Sequence, residues 1–285
     1  MTDAPSNQFV MIGLPETGKT SFLAALWYLV QHAQVEHRLE IKHFEGDIKY
    51  LNQIADLWVS FEVVPRTTTS SERMVSMVLT DTATNKTFTL TIPDLSGESF
   101  ISQLVGRQFT VSYDKLLQAS SGALLFISPL HYRKPVRINM AAPFLQEMGA
   151  AVADGDPGDH PLISWDPAQT PTQVQLVELL QFIAERDYFK PRFRVALIIS
   201  AWDQLKRENK TPAEWLADEM PLLVQFLESN QRLFDYTIYG VSAQGADYAE
   251  TDKLTGMTPS ERIQIVGVNV INDHDLTEPL TWLML

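Results

Sequence analysis

Gly13-Leu14-Pro15-Glu16-Thr17-Gly18-Lys19-Thr20 matches the pattern G-x-x-x-x-G-K-[ST] at every specified position. Ahead of it, Phe9-Val10-Met11-Ile12 is the short apolar run of a buried strand, and residues 21–30 read as the helix that follows. Strand, glycine loop and helix in that order make a phosphate-binding loop. The glycines let the chain fold back so that its N–H groups face a β-phosphate, and the helix N-terminus adds its dipole. Lys19 would reach the β and γ oxygens, and Thr20 would set its hydroxyl on Mg²⁺. Gly13, Glu16, Thr17, Gly18, Lys19, Thr20 and Ser21 are the candidate residues of this loop.

Outward from the loop, short apolar runs alternate with longer amphipathic stretches over the 285 residues. That is the pattern of an α/β domain on a mostly parallel sheet with helices on both faces. Six strands are expected, at 9–12, 73–80, 87–92, 123–128, 193–200 and 236–241. Only the stretch from Asp81 to Lys86 separates the second from the third, so these two are read as an antiparallel hairpin at one edge. In the third, Phe88, Leu90 and Ile92 alternate with Thr89 and Thr91, giving one apolar face.

Helices are expected at 19–32, through Ile48, Leu51, Ile54, Trp58 and Phe61, and over 98–119. Two more open on Thr170-Pro171-Thr172-Gln173 and Thr211-Pro212-Ala213-Glu214. In each, threonine would cap the amides, proline would take the first helical position, and Gln or Glu would reach back. The chain reads as one domain, 1–285, with insertions at about 34–66 and 129–169 and a C-terminal extension at 244–285. The apolar ending Leu280-Thr281-Trp282-Leu283-Met284-Leu285 is read as docking onto its own domain.

Lys and Arg number 22 against 35 Asp and Glu, a net charge of −13, which argues against a nucleic-acid or anionic-membrane coat. Direct nucleic-acid binding is not expected. The absence of cysteine excludes disulfides and cysteine-held metal sites. His32, His37, His43 and His131 lack the spacing of a zinc site, and the acidic turn at 155–159 lacks the twelve-residue calcium pattern. The N-terminus carries no signal-peptide pattern. The apolar runs at 123–127 and 195–199 fall well short of the roughly 20 residues a membrane span needs. A cytoplasmic protein is expected.

Three further motifs follow the loop in order. Pro93-Asp94-Leu95-Ser96-Gly97-Glu98 closes the hairpin: Asp94 could hold a Mg²⁺-bound water, and Gly97 could offer its amide to a γ-phosphate. Ser200-Ala201-Trp202-Asp203 follows the buried run at 195–199. A carboxylate there could accept both N1–H and N2–H of guanine, which adenine cannot match. Gly240-Val241-Ser242-Ala243 ends the last strand, where a backbone amide could meet guanine O6.

With these motifs on matching strand ends, the chain resembles the translation-factor-related class of P-loop GTPases that holds the Ras-like proteins, over residues 13–243. The phrase from Ile12 to Thr20 followed by Phe22-Leu23-Ala24-Ala25-Leu26, the Asp94-x-x-Gly-Glu motif, and the closing Glu278-Pro279-Leu280-x-Trp282-Leu283 are similar to bacterial double-GTPase families. The resemblance implies a Ras-like fold, GTP or GDP with Mg²⁺ as ligands, and a GTP-hydrolysing switch. It also implies protein partners, a second GTPase and an effector, within a bacterial defence or conflict system. Ser200 and Ala201 stand where the class has Asn/Thr and Lys, so the lysine stem that packs on the base is missing. Trp202 could supply a stacking face or be a core residue.

Glu98 takes the place of the water-orienting glutamine, and reads equally as a first-turn residue favoured by the helix dipole. Within Pro65-Arg66-Thr67-Thr68-Thr69-Ser70-Ser71, Thr69 fits the switch threonine that touches Mg²⁺ and γ-phosphate. Arg66 repeats the R-x-x-T spacing by which G-protein α subunits carry an arginine finger in cis; the alternative is a polar loop with a solvated arginine. Two other functions stay open: a GTP-binding interaction module with little turnover, and an ATP-using P-loop protein. Against the latter, Asp94 is not followed by a second acidic residue and Asp203 would have no role.

Overall fold

In the computed structural model, which describes residues 7–32, 34–63, 73–94, 97–135, 169–247, 250–254 and 256–285, alternation along the first strand sets up the layers. In β1 (Asn7–Gly13), Phe9 and Met11 enter one apolar core while Val10 and Ile12 enter another on the opposite face. The strands are continued by β2 (Leu39–Glu45), β3 (Arg73–Asp81), β4 (Thr87–Asp94), β5 (Ser120–Ile127), β6 (Phe193–Ile199), β7 (Phe234–Ser242) and β8 (Gln264–Gly267). Helices α1 (Lys19–His32), α2 (Ile48–Val59) and α8 (Glu278–Leu283) cover the first face. Helices α4 (Val111–Ala119), α5 (Thr172–Ala184), α6 (Pro212–Glu219) and α7 (Pro221–Ser229) cover the second, and α3 (Gly97–Gly106) precedes α4. Burial of both faces explains why the central strands read as unbroken apolar runs.

The eight strands lie in the order β2-β3-β4-β1-β5-β6-β7-β8. The β4-β1, β1-β5, β5-β6 and β6-β7 pairings are parallel, and the β2-β3, β3-β4 and β7-β8 pairings antiparallel. This is the α/β sheet expected, with eight strands where six were read. The hairpin β3-β4 is therefore not an edge: β2 pairs outside it, and β8 closes the other side. Both added strands are half-buried borders, β2 showing only Leu39 fully buried and β8 only Ile265. They lack the apolar runs that mark the inner strands.

Local chemistry accounts for several helix ends. Asp47 caps α2 by accepting from the Tyr50 amide at 3.0 Å. Thr211 and Glu214 form the expected reciprocal box on α6, at 3.2 and 2.8 Å. The matching box at Thr170 does not form: Pro171 occupies the cap of α5, and the Thr170 hydroxyl is buried without a partner. Gln173 turns instead to the Leu222 amide at 2.9 Å. The stretch at 98–119 is two helices, broken at Arg107 (φ 47°) and restarted by Thr110, which accepts from the Tyr113 amide.

The end of the chain docks on its own sheet: Arg194 Nη1 donates to the Leu283 carbonyl at 2.9 Å, and Gly122 lacks the Cβ that would press on Leu283. At the β3-β4 turn, the buried Asp81 takes both Nε and Nη2 of Arg38 at 2.8 Å and the Thr84 hydroxyl at 2.6 Å. The Arg38 hydrogen bonds hold its carboxyl well below the usual carboxylate range. A depressed carboxylate stabilises the fold above its unfolded pKa of about 3.9, and that stability is lost as the pH falls toward the folded value. Asp81→Asn should therefore cost about 2 kcal/mol at neutral pH, less than a fully buried pair because Arg38 is partly exposed. In urea titrations the gap to the parent should hold above pH 5 and narrow below about pH 4. A gap independent of pH would assign the loss to packing.

Candidate functional site

The strand order reverses around β1, which has β4 on one side and β5 on the other. In an open α/β sheet the crevice beyond the carboxyl ends of the strands at such a point is where ligands bind. The Gly13–Thr20 loop leaves β1 at that edge. Gly13 has φ 150°, and a Cβ on it would stand 2.8 Å from the Phe126 carbonyl of β5, so only glycine lets the loop start there. Glu16 (φ 59°) and Gly18 (φ 82°) are left-handed, the geometry that turns successive amides into one concavity.

Thr17 is buried, with its hydroxyl donating to the Leu14 carbonyl at 2.8 Å. The Lys19 ammonium arches back over the loop to the carbonyls of Gly13 at 2.9 Å and Leu14 at 2.6 Å, and to Thr17 Oγ1 at 3.3 Å. Helix α1 begins here, its first carbonyl bond running from the Phe22 amide to Gly18. The amides of its first turn, Thr20 and Ser21 among them, have no carbonyl partner within the helix and form the positive end of its dipole.

The third and fourth motifs meet beside this loop. A Cβ on Gly18 would lie 3.0 Å from Ser200 Cβ, so the end of β6 touches the phosphate loop. Ser200 continues the β5 pairing through its amide and hydroxyl, both donating to the Ile127 carbonyl. Ala201 is left-handed (φ 47°) and turns the chain into the short helix Trp202–Glu208. Of the two readings of Trp202, the structure places it in the core: it is buried, and its indole lies so close on Gly240 that a Cβ there would meet ring carbons at 2.5 Å.

Asp203 stays partly exposed, with Oδ1 accepting from the Ser242 hydroxyl and Oδ2 from Gln204 Nε2, both at 2.5 Å. Ser242 in turn accepts from the Gly245 amide at 3.0 Å. Carboxylate and serine loop are thus one unit, and each carboxylate oxygen keeps a lone pair for a further donor.

On the other side of the loop, Asp94 ends β4 with its backbone in register with Arg73 of β3, while Gly97 opens α3 with Glu98 next to it. For Asp94 and Glu98 the backbone alone is described, and Arg66 and Thr69 lie outside the described residues. Arg107 is held by Glu178 of α5 at 2.8 Å. Among the described residues no group of three His, Cys, Asp or Glu could hold a metal ion. Thr20 in the first turn of α1 and Asp94 at the end of β4 are residues that could hold Mg²⁺, which binds through few protein oxygens plus phosphates.

Sequence reading missed Gln204, whose position next to Asp203 was a usable signal. It also missed the link across the fold by which Trp58 meets the Ala243 carbonyl and Gln244 meets the Trp58 carbonyl, which has no local sign. Among the described residues no helix is long and apolar enough to cross a membrane.

No curated protein matches the chain. Solved structures to which it is similar include a bacterial selenocysteine-specific elongation factor EF-Sec, at 10% identity and TM-score 0.38. Another is Methanosarcina barkeri Roco2 RocCORdC bound to GDP, at 11% identity and TM-score 0.30. Each match covers 88% of this chain, but only 28% and 48% of those longer chains. The family model described as Double-GTPase 1 matches residues 10–283, nearly the whole sequence, and the chain belongs to that family of GTP-binding P-loop proteins.

Proposed function

We propose that the chain hydrolyses GTP with Mg²⁺ and changes conformation between its GTP and GDP states to control partner proteins. The observation that carries this reading is one continuous edge: Lys19 poised over a glycine loop that touches Ser200, with the Asp203–Ser242 pair beyond it. In this proposal Gly13, Glu16, Thr17, Gly18 and Ser21 cradle the phosphates, and Lys19 leaves its own carbonyls to meet the β and γ oxygens. Thr20, Thr69 and Asp94 would hold Mg²⁺, whose charge offsets that of those oxygens. Gly97 offers its amide to the γ-phosphate. Glu98 orients the attacking water, with its charge beside the phosphate offset by Arg66 acting in cis. Asp203 and the Ser242-Ala243 loop read guanine, with Trp202 contributing through the shape of the wall behind Asp203.

A second GTPase and an effector are the proposed partners, in the cytoplasm and in a defence setting. Single-turnover assays with GTP and ATP, with Mg²⁺ and with chelator, test the reading. GDP formation that needs Mg²⁺ supports it. Tight GTP binding without turnover would make the chain an interaction module, and preference for ATP would overturn the guanine assignment.

Asp203→Asn replaces one acceptor oxygen by a donor, so the variant should lose guanine and gain xanthine, whose C2 oxygen accepts from the new amide. With Asp203 partly exposed, the switch should be about ten- to a hundredfold. Competition binding of GTP, XTP and ATP measures it. A variant that keeps the parent's GTP preference removes Asp203 from base reading.

A further inference from the structure

The loop after β7 is pinned from a direction that base reading alone does not require. Trp58, wholly buried in the last turn of α2, donates its indole N–H to the Ala243 carbonyl at 3.0 Å. Gln244 Nε2 donates back to the Trp58 carbonyl at 3.2 Å. Arg262 closes the same knot: its Nη1 donates to the Val59 carbonyl at 3.0 Å, at the negative end of α2, and its guanidinium lies 4.0 Å over the Phe61 ring. The Arg262 carbonyl presses so close on Gly245 (φ 91°) that a Cβ there would stand 2.6 Å away.

We infer that Trp58 is a positioning residue for guanine selectivity: its indole N–H, by holding the Ala243 carbonyl, aims the Ala243 amide at the base. This rests on the guanine reading above. The Ser242–Ala243 peptide carries the Ala243 N–H, and it lies between two fixed points. On one side the Ser242 hydroxyl is bound to Asp203 and to the Gly245 amide. On the other the Ala243 carbonyl is bound to Trp58. Two pins flanking one residue leave its φ and ψ little freedom, so the N–H direction is set by the protein before any nucleotide arrives. That preorganisation replaces part of what Ala201, lacking a long stem, cannot give by packing on the base.

The test is Trp58→Phe, which keeps an aromatic ring in the core and removes the N–H, with 3-benzothienylalanine at position 58 as a second variant, which keeps the two-ring shape and puts sulfur in place of the N–H. Affinities for GTP, ITP and ATP are measured for parent and variants, with thermal melting as a control. ITP keeps O6 and N1–H but lacks the 2-amino group, so the O6 contact is read as the ratio of ITP to ATP affinity. The expected result is about a tenfold fall in affinity for GTP and ITP with ATP binding unchanged, since one aimed hydrogen bond is lost.

A Trp58→Phe variant with parental affinities and ratios overturns the inference. So does a variant in which GTP, ITP and ATP weaken equally, because that marks a purely structural tryptophan. If Trp58→Phe does not fold, the same outcomes are read from the 3-benzothienylalanine variant. A parent with no preference for GTP over ATP brings down the guanine reading itself, and the inference with it; that failure is seen in the parent alone.

Discussion

A Lys19→Ala variant is expected to bind GTP with Mg²⁺ about a thousandfold more weakly than the parent, in a protein that still folds. Two charge-assisted hydrogen bonds from the ammonium to phosphate oxygens are worth about 2 kcal/mol each, and together they account for that factor. The fold should survive because α1 is not held by its first residue. Phe22, Leu23, Leu26, Trp27 and Leu29 bury one side of the helix, and Phe22 packs edge-on against Phe126 of β5 at 5.1 Å. The carbonyls of Gly13 and Leu14 lose the ammonium in the variant, while the Thr17 hydroxyl bond to Leu14 and the Phe22 amide bond to Gly18 still hold the loop. Titration calorimetry with GTP and Mg²⁺, alongside a melting curve, separates the two effects. Unchanged affinity removes the phosphate-loop role of Lys19; lost affinity together with a collapsed melting temperature would make the lysine a structural residue.

The second large effect should be on rate. Arg66→Ala is expected to slow single-turnover GTP hydrolysis by about 10³-fold, the lower end of what an arginine supplies to this transition state. Affinity for GTP should change little, because the guanidinium is proposed to act where charge develops in the transition state rather than in the ground state. Glu98→Gln should cost less, since it removes a negative charge that the phosphate already disfavours. Strand β3 starts opposite Asp94, at the carboxyl end of β4. Quenched-flow or slow manual sampling under single-turnover conditions gives both rates. If Arg66→Ala turns over as fast as the parent, Arg66 is only a loop residue, and the arginine comes from a partner or from elsewhere, such as Arg107, which would first have to leave its exposed pair with Glu178.

Much of the site was readable because its parts are local. A loop of eight residues between an apolar run and a helix needs no distant contact to be recognised, and α1 spans the 19–32 range expected. The box at Thr211 is equally local, a bond between residues three apart. The box at Thr170 shows the limit: the same sequence pattern failed because Leu222, 49 residues on, competes for the Gln173 side chain. Likewise the helix over 98–119 breaks at Arg107, where Gln103 folds over to accept from the Thr110 amide at 2.9 Å.

By itself, then, the sequence determined the α/β class, the inner strands, the glycine loop between β1 and α1 and the order of the candidate motifs along the strand ends. Each of these is written in period, composition or spacing along a short stretch of chain. Tertiary structure alone decided the rest. It made β2 and β8 into the borders of the sheet, because an edge strand pairs through backbone groups that every residue has and buries too little to leave an apolar signature. It sent Trp202 into the core by laying its ring on Gly240, and it brought Trp58 to the Ala243 carbonyl from 185 residues away. Which carbonyl an indole N–H meets depends on where the sheet delivers its strand ends, and no run of neighbouring residues encodes that distance.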